Sequence, residues 1–287
     1  MFSLNKILFI YEGAVQEKKY CRLLMNMLKS EFNKNIPKEF IAFKTNIYGL
    51  YDEMKNNYGL DIVELIKERA SRIGDTNTYN KLASGGFAQI YLIFDFDPQA
   101  PQYSINKIKE MLEYFNNETE NGLLYVNYPM LESYKHFRCI PDKDYYKYEI
   151  PISECKSYKK LINNISVIKH TNDITSDIFN TIIMHNIEKY IYITKTKIKN
   201  YSDYLKRYNR ELLLECVVKH MMNTSNIYVY NSSLLWGIDY FGEKYWNKYF
   251  QETISLENIP GYTKKINSID KRYKWDKEEI YNKNRPF

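Results

Sequence analysis

Cysteine is scarce and scattered. The four cysteines, Cys21, Cys139, Cys155 and Cys216, lie far apart and form no C-x-x-C pair. That spacing excludes a ribbon-type zinc site and fits reduced thiols in a cytoplasmic protein. The four histidines, His136, His170, His185 and His220, share no metal-ligand spacing. No apolar run approaches the roughly 18 residues that a membrane-spanning helix needs. Met1–Phe9 holds one lysine and no small-residue cleavage site, so no signal peptide is expected. G-x-x-x-x-G-K-[ST] is absent, which excludes a P-loop in this chain. G-x-S-x-G is absent too, which excludes the serine-hydrolase elbow. No internal repeat is evident.

What is there suits a folded chain of 287 residues, with 44% hydrophobic and 26% charged side chains. Tyrosine is abundant at 29 residues, but base composition of the genome accounts for this as well as function does. The net charge of +6 is unevenly spread. Residues 1–132 carry 15 basic and 17 acidic side chains, a net of −2, and residues 133–287 carry 26 and 18, a net of +8. An acidic first half beside a basic second half suits a metal site next to a polyanion-binding surface, or simply a solvated basic face.

Apolar periodicity orders the first half. Ile7–Tyr11 reads as a buried strand ending at Glu12-Gly13. Tyr20, Leu23, Leu24, Met27 and Leu28 fall at helical spacing within Glu17–Phe32. Phe40–Phe43 is a second strand and Asp61–Arg72 a helix. Ile90–Phe94 is the strongest strand signal and runs into Asp95-Phe96-Asp97-Pro98. Ile105, Ile108, Leu112 and Phe115 mark another helix, and Leu123–Val126 a last strand. Strands alternating with helices predict a doubly wound, mostly parallel α/β sheet. After Glu132 the pattern turns helical, at Asp173–Tyr190, Ser202–Met222 and Leu234–Phe250. The expected division is an α/β domain at 1–138 and a mainly helical, basic C-terminal extension at 139–287.

Open α/β sheets place their chemistry at the carboxyl ends of the strands. Acidic residues stand there three times: Glu12, the Asp95/Asp97 pair, and Glu132 after a P-x-x-E turn. Carboxylates crowded at one end repel one another unless a hard divalent cation with oxygen ligands offsets the repulsion. In an extended D-x-D both side chains share one edge. Taken singly, each is as readily a polar strand cap.

The order Tyr-Glu-Gly after the first strand, then apolar-Asp-Phe-Asp after a later one, resembles the TOPRIM domain. Asn127-Tyr128-Pro129-Met130-Leu131-Glu132 is similar to the P-x-x-E segment of TOPRIM-like proteins in bacterial anti-phage systems, the RloB-like and DUF4435-like groups with the nuclease effector of the PARIS system. The likeness covers about residues 5–135. It implies a toxic endonuclease that hydrolyses phosphodiester bonds of DNA or RNA, tRNA included. Asp95 and Asp97 would hold Mg²⁺ or Mn²⁺, Glu12 would be a further metal ligand or the general base, and Glu132 would be a further catalytic carboxylate. Implied partners are the nucleic acid, an ATPase and a second copy of the chain, but no membrane. The family often has an acidic residue four positions after the first Glu; here that position is Gln16, followed by Glu17.

Lys195, Lys197, Lys199, Lys206, Arg207 and Arg210 interleave with Tyr201, Tyr204 and Tyr208. Cations for phosphates and rings for bases make this a candidate nucleic-acid segment, against a solvated helix face with tyrosines packed beneath. Lys264, Lys265, Lys271, Arg272 and Lys274 form a second basic cluster. His136, four residues after Glu132, is read as structural in preference to a proton donor. Two other readings stand beside the nuclease. One is a phosphatase of the HAD type, although its D-x-D follows the first strand. The other is a non-catalytic binding module.

Overall fold

The computed structural model describes residues 6–13, 15–32, 37–57 and 59–250. Within it run β1 (Lys6–Tyr11), α1 (Gln16–Phe32), β2 (Lys38–Ala42), α2 (Ile47–Asn56), α3 (Ile62–Arg72), α4 (Thr76–Ala83), β3 (Phe87–Asp95), α5 (Ile105–Tyr114), β4 (Asn116–Asn117) and β5 (Gly122–Tyr128). The later chain adds β6 (Glu149–Pro151), α6 (Tyr158–Ile165), α7 (Ser176–Thr194), α8 (Tyr201–Arg207), α9 (Arg210–Thr224), β7 (Asn226–Tyr228), β8 (Tyr230–Asn231), α10 (Trp236–Phe241) and α11 (Glu243–Tyr249). The basic cluster at Lys264–Lys274 lies outside the described residues. No helix among those described is long and apolar enough to cross a membrane.

The main sheet has the order β2-β1-β3-β5, and these four strands are parallel. Parallel strands covered on both faces need continuous apolar runs. ILFIY and IYLIF are such runs, and every residue of β5 is buried. From β1 the chain passes to β2 on one side, then crosses back to β3 on the other. The carboxyl ends of β1 and β3 therefore flank the topological switch point, where open α/β sheets form their crevice. Register sets Tyr11 beside Ile93 and Asp95 beside Asn127.

The second half is built into the same core. β8 pairs antiparallel with the end of β5, Asn127 opposite Asn231. The Trp236 ring lies 5.3 Å from Phe9 and 5.7 Å from Tyr91, on the two central strands. Elements from both sides of residue 138 thus share one hydrophobic cluster. Tyrosine supplies much of the filling: Tyr11, Tyr20, Tyr48, Tyr91, Tyr125 and Tyr128 are all fully buried.

Two helices expected as single are divided. Ser202–Met222 breaks at Tyr208-Asn209, where Asn209 Oδ1 accepts the Leu212 N–H and starts α9 afresh. Leu234–Phe250 breaks at Gly242, whose φ of 61° a side chain would oppose.

Candidate active site

Glu12 directly follows β1, and Asp95 is the last residue of its neighbour β3. The Asp95 N–H donates to Glu12 Oε2 at 3.4 Å. Asp95 Oδ1 in turn accepts the Leu131 N–H at 2.8 Å. Leu131 opens the 3-10 turn Leu131–Lys135 after β5, which carries Glu132. Three carboxylates distant in sequence are thus linked across the switch point by two backbone donors.

Asp97 departs from the extended D-x-D expected from period two. The strand stops at Asp95, and Asp97 takes a φ of 36°, in the left-handed region. The turn is held by its backbone: the Tyr48 hydroxyl donates to Phe96 O at 2.6 Å, and the Asp97 N–H donates to Pro129 O at 3.4 Å. Asp95 and Asp97 therefore do not share a strand edge, although the Asp97 charge still acts on Glu12.

Glu17 joins them. Gln16 is exposed, whereas Glu17, one step round the first turn of α1, is buried. Its carboxylate packs against Gly13, where an added Cβ would lie 2.7 Å from both oxygens. The helical register makes the difference: one position moves a side chain about 100° round the axis.

Electrostatics show the crowding. Burial first, then repulsion from Asp97 and Glu17, raises the Glu12 carboxyl from 4.5 to about 7, against the lowering effects of the Asp95 N–H and Lys159. Asp95 is raised well above the carboxylate range by burial, Glu12, Glu132 and Glu17. A cation on α6 pairs with them. Lys159 Nζ, on α6, lies 3.2 Å from Glu132 Oε1. Burial opposes its charge, but Glu132, Asp95 and Glu17 outweigh that and raise its pKa. Sequence reading missed Lys159, because it is one of many lysines and only the fold brings α6 to the turn at Glu132.

The donor chemistry suits a hard cation in one respect and is incomplete in another. All the groups are oxygens, and Glu132 Oε2 is buried with no hydrogen-bond partner. Yet among the described residues no group of three or more His, Cys, Asp and Glu side chains is arranged to hold a metal ion. One oxygen of Glu12 and one of Asp95 accept backbone N–H groups, and one of Glu132 pairs with Lys159.

His136 is structural. It is buried, its Nδ1 lies 2.9 Å from the Tyr158 hydroxyl, and burial with Lys189 and Arg138 lowers its pKa to about 3. It stays neutral.

The segment Lys195–Arg210 lies elsewhere. Lys195 caps α7 at 4.0 Å over the Tyr192 ring, and Arg207 donates to the Lys197 carbonyl. Lys206 is exposed. Arg210 donates to Asn116 O at 3.4 Å, beside the start of β5 and so at the strand end opposite Asp95. The tyrosines pack inward: Tyr204 is buried and its hydroxyl donates to Asp239 at 2.7 Å. A cavity of ≈ 300 Å³ beside them has Arg210 in its wall, but also Glu118, Glu211 and Asp239. That lining does not favour phosphate.

Gly13→Ala tests the packing of Glu17. The clash is with the far end of a flexible side chain, so the fold should lose little stability. Glu17 should be driven out of the cluster, and the Glu12 carboxyl should titrate lower as that repulsion fades. An NMR pH titration of Glu12 checks this; an unchanged Glu12 midpoint contradicts it.

No protein-family model matches the sequence, and neither a curated protein nor a solved structure matches the chain.

Proposed function

We propose that the protein is a divalent-metal-dependent nuclease with a TOPRIM-like site, hydrolysing phosphodiester bonds of DNA or RNA. By the same resemblance it would serve as an effector of bacterial anti-phage defence beside an ATPase partner. One observation carries the reading: Glu12 and Asp95 sit in contact at the switch point, and both are pushed up, Glu12 by burial, Asp97 and Glu17, and Asp95 by burial, Glu12, Glu132 and Glu17. Such a pair is costly to a fold, and perturbed carboxylates in a crevice are a mark of function. What supports the TOPRIM arrangement is adjacency. The residue after β1 and the D-x-D after β3 come together because those strands are neighbours.

Mg²⁺ or Mn²⁺ would be held by Glu12 and Asp95, with Glu132 and Asp97 contributing from the adjacent turns. When bound it would offset the carboxylate charges and stabilise negative charge building on the phosphate. The value near 7 belongs to Glu12 in the metal-free site; a bound cation would stabilise the carboxylate and lower it, so Glu12 acts there as a ligand. The backbone N–H groups of Asp95 and Leu131 hold the carboxylates in orientation, and Glu17 supplies further negative charge behind Glu12.

The direct test is incubation with Mg²⁺ or Mn²⁺ and a panel of DNA and RNA that includes tRNA. Calorimetric titration with Mn²⁺ should show a binding heat that disappears in Asp95→Ala/Asp97→Ala. An equal heat in both proteins would contradict the metal reading.

A further inference from the structure

We propose that nucleic acid reaches the carboxylates across the segment Ile152–Ile165, with Lys159 contacting the phosphate at the reacting position and Lys156 and Lys160 its neighbours. This deepens the nuclease reading and rests on it for the identity of the site. It assigns the docking surface to α6 instead of Lys195–Arg210.

The segment lies along the acidic cluster. At its start, the Ile152 carbonyl accepts from the Gln99 side-chain amide, two residues beyond Asp97. Next, the Cys155 thiol is raised by burial and then by the charge of Asp97. One turn on, Tyr158 is buried where the charge of Glu132 reaches it. Lys159 then closes on Glu132. Positions 152 to 159 thus pass from the Asp97 end of the site to the Glu132 end.

The chemistry of its outer face is one-sided. Lys156, Lys159 and Lys160 are exposed, with Glu154 the acidic residue among them. Two more cations border the same turn. Lys135, three residues after Glu132, is lowered by burial and by Lys19 of α1, against the raising effects of Glu132 and Asp173. A polyanion approaching an acidic crevice is repelled unless cations line the entry. Lys159 meets both needs, because its long stem lets the head that pairs with Glu132 also face solvent: its side chain is 54% exposed against 14% for Glu132. By contrast, Lys195–Arg210 packs on α7, α10 and α11 and reaches β4.

The test uses fluorescein-labelled single-stranded DNA and RNA of one sequence, in EDTA, with the full chain. Anisotropy is read over a range of salt concentrations. Lys156→Gln/Lys159→Gln/Lys160→Gln should bind at least about tenfold more weakly at low salt. Its log–log salt slope should be flatter by about two, at roughly 0.7 per lost phosphate contact. Lys206→Gln/Arg207→Gln/Arg210→Gln should bind like wild type. Equal binding by the α6 variant, loss in the second variant, or no binding by wild type overturns the proposal. Thermal melting of each variant checks folding; if the triple variant melts early, Lys159→Gln alone is used and should lose about one contact of slope. Cleavage assays separate the two readings. Binding lost in the α6 variant with no cleavage by wild type would leave docking and remove hydrolysis. Cleavage by wild type with docking unaffected would do the reverse.

Discussion

Glu12→Gln is expected to lower cleavage, or toxicity on expression in cells, by orders of magnitude while leaving a folded and more heat-resistant protein. Gln keeps size and hydrogen-bonding capacity but loses the charge, and with it a principal cation ligand of the proposed site. The gain in stability follows from linkage. The Glu12 carboxyl is raised from 4.5 to about 7 in the fold. Between those values the native state holds a proton that the unfolded state has released. Stability is therefore greatest below 4.5 and falls as pH rises toward about 7. The fall is at most about 3 kcal/mol for one group, and less once solvent and local relaxation are counted. Asp95 is shifted in the same direction. Melting curves for wild type and Glu12→Gln should converge in acid and separate at neutral pH, the variant melting higher. A folded variant as active or toxic as wild type would remove the proposed site.

Asn231→Leu should cost about 3–5 kcal/mol, the largest expected loss of stability from one side chain outside the apolar core. Asn231 is fully buried and joins four parts of the chain. Its Oδ1 accepts from the Tyr20 hydroxyl at 3.0 Å and the Ser233 hydroxyl at 2.8 Å, and its Nδ2 donates to Leu131 O at 2.8 Å. Its own N–H donates to Asn186 Oδ1 at 3.0 Å. Leucine has the same branched shape and keeps the backbone N–H bond to Asn186 but makes none of the side-chain bonds, so buried polar groups on α1 and on the Leu131 turn lose a partner. The turn carrying Glu132 is then held less firmly. Urea unfolding measures the first effect and Mn²⁺ affinity the second. A loss below about 1 kcal/mol would show that the network relaxes around the change.

The parts legible in the sequence were those that depend on near neighbours. ILFIY, IYLIF and LLYV mark three central strands because burial on both faces demands unbroken apolar runs. Asp61 announces α3 by capping it, its Oδ1 accepting the Val63 and Glu64 N–H groups. The helices α2 and α4 escaped notice: each is short, one contains Gly49, and their N-caps, Asn46 and Asp75, lie in polar stretches. Glu12, Asp95 and Glu132 could be placed together at the carboxyl ends of strands because strand ends can be read locally. Lys159 and Glu17 were not assigned, because their roles arise from helix register and from contacts between distant segments. The left-handed turn at Asp97 depends on Tyr48 and Pro129 and has no local signal.

The pairing of β8 with β5 has a bearing on synthesis. Every proposed carboxylate is encoded before residue 133, yet the turn that presents Glu132 is fastened by Asn231, and Trp236 closes the apolar face beneath β1 and β3. A ribosome that has translated only the first half has therefore made all the acidic groups without their setting. The contacts that fasten the cluster's setting come from about a hundred residues later, with Asn231 of β8 and Trp236. An amino-terminal fragment ending near 138 should remain without metal affinity even if it stays in solution, and it should regain none when the acidic residues are the only ones retained.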